Sequence, residues 1–145
     1  MTEHKDSERV IEIRPFAAAD AAGAEAYYGE RGGRFWVADD GTGIIAMFGL
    51  ERHGENGMEL RRMYVDPRAR RRGLARRMLD VAEDFCRESG IAAMHLSTAE
   101  IQEAAIALYQ ARGYERVREE VAREATNKTV GGDMRRFHFI KTLRP

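Results

Sequence analysis

Arginine residues cluster around a single glycine in the segment RARRRGLARRMLD, residues 68–80. Such a cluster can contact the backbone of a nucleic acid, or it can hold the phosphates of a small cofactor. The whole chain carries a formal net charge of +0, with 24 Lys and Arg against 24 Asp and Glu. This balance gives no general attraction to nucleic acid or to an acidic membrane, so a basic function has to be local.

The glycine of this segment, Gly73, stands directly before a predicted helix that Gly90 is expected to end. The first N–H groups of a helix have no partners inside it and lie at the positive end of its dipole, so they bind anions. Gly73 has no side chain to hold a phosphate away from that backbone, and the small Ala75 keeps the next turn thin. The pattern therefore favours a pyrophosphate site. The helix itself is predicted from apolar residues at the spacing of one face: Leu74, Met78, Ala82 and Phe85.

This loop resembles the acetyl-CoA signature of the GCN5-related N-acetyltransferase (GNAT) family. The signature is Arg or Gln, two residues, Gly, one residue, then Gly or Ala, and it follows a strand and the tripeptide VDP, residues 65–67. The resemblance implies that the amides of residues 71–75 receive the pyrophosphate of acetyl-CoA and that arginine side chains add charge near the adenosine phosphates. A solvated surface charge is the alternative for each arginine. The matching residues are Arg70, Arg71, Arg72, Gly73, Leu74 and Ala75.

A second segment, STAEIQEAAIALYQARGY, residues 97–114, is similar to the downstream block of the same family. Gln102 stands where an asparagine is common, and the resemblance places it among the cofactor contacts. The likeness follows the element order of the whole chain and is specific over residues 59–114. The positions that match the block are Ala105, Leu108, Tyr109, Gly113 and Tyr114.

Acetylation of an amine needs a neutral amine, a polarised thioester carbonyl and a proton for the departing thiolate. Glu59 matches the family position of a carboxylate that deprotonates the amine, directly or through water, and its alternative is a solvated charge at a strand edge. Tyr109 matches the usual proton donor, and its alternative is a helix tyrosine whose hydroxyl meets water. The resemblance also implies that the backbone of Met63, Tyr64 and Val65 binds the pantetheine arm, with their side chains mostly in the core.

The elements that position these residues alternate along the chain as strands and helices. The fold class predicted is α/β (α+β), a mixed, mostly antiparallel twisted sheet of six to seven strands flanked by helices, with one parallel pair joined by a right-handed crossover. The predicted helices are AADAAGAEAYY, the segment after Gly73, and EIQEAAIALYQARG. The predicted strands are RVIEIRPF, RFWVA, GIIAMFGLE, GMELRRMYV, IAAMHLST, YERVREEVARE and MRRFHFIKTL, of which the sixth has a charge density that also permits a helix.

The length of 145 residues suits one domain, so residues 1–9 are expected to form a flexible segment and residues 10–145 a single GNAT domain. The single cysteine, Cys86, cannot form an internal disulfide, and no signal segment or membrane-length apolar run is found, which favours the cytoplasm. Because Cys86 lies on the apolar face of a helix, direct transfer in a ternary complex is expected rather than a covalent acetyl-cysteine.

The same residues bear on the expected partners and on two alternative classes of protein. A nucleic-acid-binding module would need a basic excess, and a CoA-binding sensor without catalysis would not need Tyr109. His53, His95 and His138 have no metal-ligand spacing with Cys86, so no metal is expected. The acceptor is expected to be a small-molecule or peptide amine. Four aromatic residues could line its pocket, although a place in the core is the commoner role of such residues: Tyr27, Tyr28, Phe35 and Trp36.

A homodimer is the remaining expectation. Members of the family often pair through their C-terminal strands, and the segment MRRFHFIKTL, with Phe137, Phe139 and Ile140, lies close to the chain end. An unpaired strand edge at this position would be a liability that dimer formation removes.

Overall fold

The computed structural model describes residues 10–15, 32–122 and 134–143. The predicted N-terminal segment 1–9, the first predicted helix with Tyr27 and Tyr28, and the loop at 125–133 lie outside these residues. The described strands form one seven-stranded sheet in the order β1-β2-β3-β4-β5-β7-β6. The predicted mixed sheet flanked by helices is therefore confirmed. The strands are β1 (Glu12–Pro15), β2 (Arg34–Asp39), β3 (Ile44–His53), β4 (Gly57–Val65), β5 (Ala93–Ala99), β6 (Glu115–Ala122) and β7 (Met134–Thr142); the α-helices are α1 (Leu74–Glu88) and α2 (Glu103–Ala111), and a short 3-10 helix spans Pro67–Ala69.

The chain divides into two compact units, one formed by Met1–Arg52 and Arg61–Asp84 and the other by His53–Leu60 and Phe85–Pro145. In the first unit β1, β2 and β3 are antiparallel neighbours. Residues 35–38 of β2 are all buried, which is typical of a strand covered on both faces. The ring of Trp36 stacks on that of Phe48 at a centroid distance of 4.9 Å. Phe35 and Trp36 are thus core residues, the commoner of the two roles that the sequence allows.

In the second unit the start of β4 pairs in parallel with β5 through three residue pairs, from Gly57 with Ala93 to Glu59 with His95. Strand β7 is antiparallel to β5, and β6 is antiparallel to β7. Helix α2 contributes Tyr109, whose ring lies 6.1 Å from that of Phe139 on β7. The segment that also permitted a helix is strand β6, because its backbone pairs with β7 over most of its length.

The C-terminal strand does not have the edge position that the homodimer argument assumed. Strand β7 lies between β5 and β6 in the sheet, so both of its sides are paired, and the edge is formed by β6. Phe139, one of the apolar residues that argument used, is 1% exposed and belongs to the core. The assumed edge position of the C-terminal strand is wrong, because strand order depends on which segments pair and not on proximity to the chain end. The homodimer itself stays a prediction.

Helix α1 ends as predicted at Gly90, whose φ is +73°. The N–H of Ile91 donates to the carbonyl of Cys86 at 2.8 Å, and the N–H of Gly90 donates to the carbonyl of Arg87 at 3.1 Å. These two bonds form a Schellman motif, in which a left-handed residue closes the helix and favours glycine. Cys86 is fully buried on this helix, in agreement with its place on the apolar stripe.

Candidate active site

The loop between β4 and α1 is fixed by Asp66. Its carboxylate accepts the N–H of Arg68 at 2.9 Å and the guanidinium of the same residue at 3.1 and 3.2 Å. These hydrogen bonds hold the pKa of Asp66 below its ordinary value. The N–H of Asp66 donates to the carbonyl of Ile45 on β3 at 2.8 Å. Asp66 caps the 3-10 helix, and Pro67 begins this helix with its preset φ. The Asp and Pro of the VDP tripeptide therefore both have a structural role in starting the helix.

The backbone of this loop adopts two left-handed conformations, at Arg71 with φ of +65° and at Gly73 with φ of +71°. The N–H of Arg77 donates to the carbonyl of Gly73 at 3.1 Å, which is the first i to i−4 hydrogen bond at the start of α1. The amides of residues 74–76 come before this bond in the first turn of the helix. A Cβ built on Gly73 would meet no atom within 4 Å. Gly73 is therefore favoured by its φ, a reason that sequence analysis did not give, and it leaves open space at the start of the helix.

Arginine side chains of the loop bind backbone carbonyls nearby. Arg70 donates from Nε to the carbonyl of Val65 at 3.1 Å, and Arg72 donates to the carbonyl of Arg68 at 3.4 Å. Arg77 donates to the carbonyl of Ile11 on the chain before β1, at 2.8 Å. Arg70 and Arg72 are exposed. These arginines hold the loop together while their charge faces solvent beside the start of α1.

The end of β4 departs from the regular pleat. Arg62 has a φ of +56°, which is rare for a residue with a Cβ and costs about 1–2 kcal/mol. The expectation that the side chains of Met63, Tyr64 and Val65 are mostly core is wrong: Tyr64 is 48% exposed and the other two are half-buried. The continuous buried run of residues 57–61 ends at this left-handed residue, where the backbone departs from the regular pleat.

Glu59 on β4 is 6% exposed, so the alternative of a solvated charge at a strand edge is wrong. Its register partner on β5 is His95. Partners in a parallel ladder project on the same face of a sheet, so the carboxylate and the imidazole share a face. A buried carboxylate is costly unless polar groups surround it, and His95 is one such group.

Two imidazoles that sequence analysis left without a role form a pair next to Glu59. The rings of His53, at the end of β3, and His95 have centroids 4.1 Å apart. Burial lowers the pKa of His95, the charge of His53 lowers it further, and the charge of Glu59 opposes both effects. The sequence does not indicate this histidine pair, because strand pairing brings the two residues together and their spacing along the chain does not.

Tyr109 on α2 is 7% exposed and its ring lies edge-on to Tyr114, at a centroid distance of 5.9 Å. Burial raises the pKa of Tyr109 to about 12, while the positive charge of Arg136 opposes the rise. Arg136 on β7 is anchored by Ser97, donating to its hydroxyl at 2.9 Å and to its carbonyl at 3.3 Å. The phenol therefore keeps its proton through the neutral and mildly alkaline range.

Gln102 precedes α2 at the N-cap position without a capping bond from its side chain. Its side-chain oxygen instead accepts a hydrogen bond from the hydroxyl of Thr98. Among the described residues no group of three or more His, Cys, Asp and Glu is arranged to hold a metal ion. Neither of the two described α-helices has the length and apolar character that a membrane crossing requires.

Residues 3–114 match the acetyltransferase (GNAT) family, and the chain belongs to this family. Human N-acetyltransferase 8 is 32% identical to it over 97 residues, which cover 63% of this chain and 43% of that protein. The N-acetylaspartate synthetase of Danio rerio is 36% identical over 104 residues, which cover 69% of this chain and 36% of the relative. The matched part of the chain thus spans less than half the length of either relative.

A solved GNAT family acetyltransferase from Elizabethkingia anophelis, with acetyl-CoA bound, has a TM-score of 0.74 to this structure at 14% sequence identity. The match covers 92% of this chain and 98% of the other. At this identity the likeness establishes the fold, which agrees with the family assignment made from the sequence.

Proposed function

We propose that this protein is an acetyl-CoA-dependent N-acetyltransferase that transfers the acetyl group to a primary amine of a small molecule or peptide. The observation that carries the proposal is the loop ahead of α1, where the left-handed residues Arg71 and Gly73 lead into a helix N-terminus with open space beside it. Membership of the GNAT family and the acetyl-CoA in the solved relative support the same cofactor.

In this proposal the backbone amides of residues 71–75 bind the pyrophosphate of acetyl-CoA, since these residues lie in the loop just before α1 and in its first turn, at the positive end of the helix dipole. Exposed Arg70 and Arg72 add positive charge near the phosphates of the adenosine end. The backbone of Met63, Tyr64 and Val65 binds the pantetheine arm, beyond the last pair of the ladder that ends at Glu59. Gln102 contributes the amide nitrogen of its side chain, because its oxygen already accepts from Thr98.

The chemical step is direct transfer within a ternary complex. Glu59 removes a proton from the acceptor ammonium, the neutral amine attacks the thioester carbonyl, and Tyr109 protonates the sulfur as CoA departs. The high pKa of Tyr109 ensures that the proton is present when it is needed. A covalent acetyl-cysteine is not part of the proposal, because Cys86 is fully buried in α1.

The proposal is tested by thiol release from acetyl-CoA with a panel of amines, set beside a DNA mobility shift at increasing salt. We expect thiol release that depends on an amine, and no DNA shift at physiological salt. CoA binding without thiol release for any amine would indicate a CoA-binding sensor. Salt-sensitive DNA binding without CoA binding would indicate a nucleic-acid-binding module, and either result would contradict the proposal.

We further propose that residues 10–145 act as one domain, that the protein works in the cytoplasm, and that it forms a homodimer. The edge strand β6 exposes Val117 by 57% and Val121 by 48%, which offers apolar surface for a second copy. The same strand carries charges of both signs, which are typical of edges that avoid indiscriminate pairing. Light scattering that gives only a mass of 16.5 kDa at working concentration would exclude the dimer.

A further inference from the structure

The burial of Glu59 raises the question of how a proton leaves it. An acceptor amine is mostly protonated at neutral pH, so each turnover would deliver one proton to this carboxylate. Glu59 is 6% exposed, whereas His95 is half-buried and His53 is exposed. These three side chains therefore form a series from the interior to the solvent.

The contact between the two imidazoles depends on the glycine between them. Gly57 begins β4 and pairs with Ala93 of β5, two residues before His95. A Cβ built on Gly57 would lie 2.9 Å from Nε2 of His95 and 2.7 Å from the carbonyl oxygen of His53. Because Gly57 has no side chain, the rings of His53 and His95 can approach to 4.1 Å. The approach joins β3 and β5 above the intervening strand.

Burial and the neighbouring His53 favour a neutral imidazole at His95 that can accept a proton, and the carboxylate of Glu59 opposes them. Glu59 faces it from β4 and His53 from β3, while its partner on β7 is the apolar Ile140. The next residue on that face of β7, His138, is bound to Glu120 of β6 at 2.6 Å and is thus engaged elsewhere. The pKa of His95 is lowered mainly by burial, which favours the neutral ring.

We propose that His95 and His53 carry the proton that Glu59 takes from the acceptor amine out to solvent. The inference rests on the proposed function, in which Glu59 is the base. The ammonium loses one proton to the Glu59 carboxylate, the resulting acid passes it to neutral His95, His95 passes it to His53, and His53 releases it to water. Each group returns to its starting state, and the net change is one proton moved from the amine to solvent. His95 and His53 act through Glu59 and are positioning residues, without contact to the substrate.

The test compares multiple-turnover acetyl transfer at saturating substrates, in which Glu59 must lose its proton before each new cycle, from pH 6 to pH 9 in the wild type, His95→Gln, His53→Gln and His138→Gln. His138→Gln is the matched control, since it removes a strand histidine on the same face that is bound to Glu120. We expect His95→Gln and His53→Gln to lose about 10-fold or more in rate at low pH, below the 10²–10⁴ of full acid–base catalysis because water substitutes in part. The loss should shrink as pH rises and the amine deprotonates, and added imidazole should restore the rate at low pH.

Because His53 is exposed, we expect His53→Gln to fold normally, so this variant decides the question if His95→Gln proves unstable by thermal melting. Rates of both variants equal to those of His138→Gln at every pH, with an active wild type, would overturn the relay alone. A pH-independent loss without rescue by imidazole would also overturn it. A wild type without amine-dependent turnover would overturn the proposed function and the relay together.

Discussion

Gly73 allows the phosphate-binding hypothesis to be separated from a purely structural role, because the chain contains a matched glycine. Gly73 precedes α1 and Gly90 follows it, with φ values of +71° and +73°. A Cβ on either residue would meet no atom within 4 Å. An alanine at either position therefore suffers the same left-handed strain of about 1–2 kcal/mol and no clash. Both variants should lose about the same free energy of unfolding in urea.

Only the variant at Gly73 should lose affinity for CoA. The added methyl group would stand where the pyrophosphate approaches the amides, and the loss of one charge-assisted hydrogen bond costs about 1.5–3 kcal/mol. This amounts to roughly a 10-fold to 100-fold increase in the Kd of CoA, measured by titration calorimetry. The strain at Gly73 also means that a bulkier substitution such as Gly73→Val must lower stability as well as affinity.

Two results of this comparison would contradict the hypothesis that the loop binds the pyrophosphate. If Gly73→Ala and Gly90→Ala lose the same stability and both bind CoA with wild-type affinity, the loop does not hold the pyrophosphate on its backbone. If both lose affinity equally, the effect comes from the general loosening of α1, and the loop again has no specific role.

Three further predictions follow from the same structure. Glu59→Gln should reduce turnover most at low pH, where the amine is protonated, and recover in part as pH rises; a uniform loss across pH would contradict its role as base. Arg71→Ala should weaken CoA binding less than Gly73→Ala, since it keeps the amide and removes only a side chain; calorimetry showing the reverse order would assign the binding to that side chain. The raised pKa of Tyr109 predicts that the wild type loses stability relative to Tyr109→Phe between pH 10 and pH 12, because the unfolded state releases the phenolic proton first near pH 10. The difference should approach about 2–3 kcal/mol in urea unfolding, and parallel stability curves for the two proteins would refute the burial of this hydroxyl.

Sequence patterns predicted the elements closely where local chemistry is strong. The strand predicted from GMELRRMYV coincides with β4, Gly57–Val65, because the segment is bounded by the turn residues RHGEN before it and by Pro67 after it. Helix α1 was predicted from its apolar stripe, and its end at Gly90 from the requirement for a left-handed residue. The loop residues of the candidate site were predicted from a glycine next to a helix N-terminus and from the family signature.

The remaining features depend on contacts between distant segments. The left-handed conformation of Arg62 has no local signal, since arginine has no preference for it, and it precedes the residues Met63 to Val65 whose exposure the sequence did not predict. The burial of Glu59 and the contact of His53 with His95 require the pairing of strands. The edge position of β6 also depends on strand pairing, because the sequence of one strand does not determine which strands lie beside it.

The central claim, amine acetylation with Tyr109 as the proton donor, is tested most directly by thiol release from acetyl-CoA in Tyr109→Phe and Tyr114→Phe. Both residues are buried tyrosines of one cluster, and the hydroxyl of Tyr114 donates to the sulfur of Met94 at 3.5 Å. We predict that Tyr109→Phe loses roughly 10²–10⁴-fold in turnover while its affinity for acetyl-CoA stays near that of the wild type, and that Tyr114→Phe turns over normally. Equal turnover of the two variants, with chemistry limiting the rate, would show that Tyr109 only fills the core.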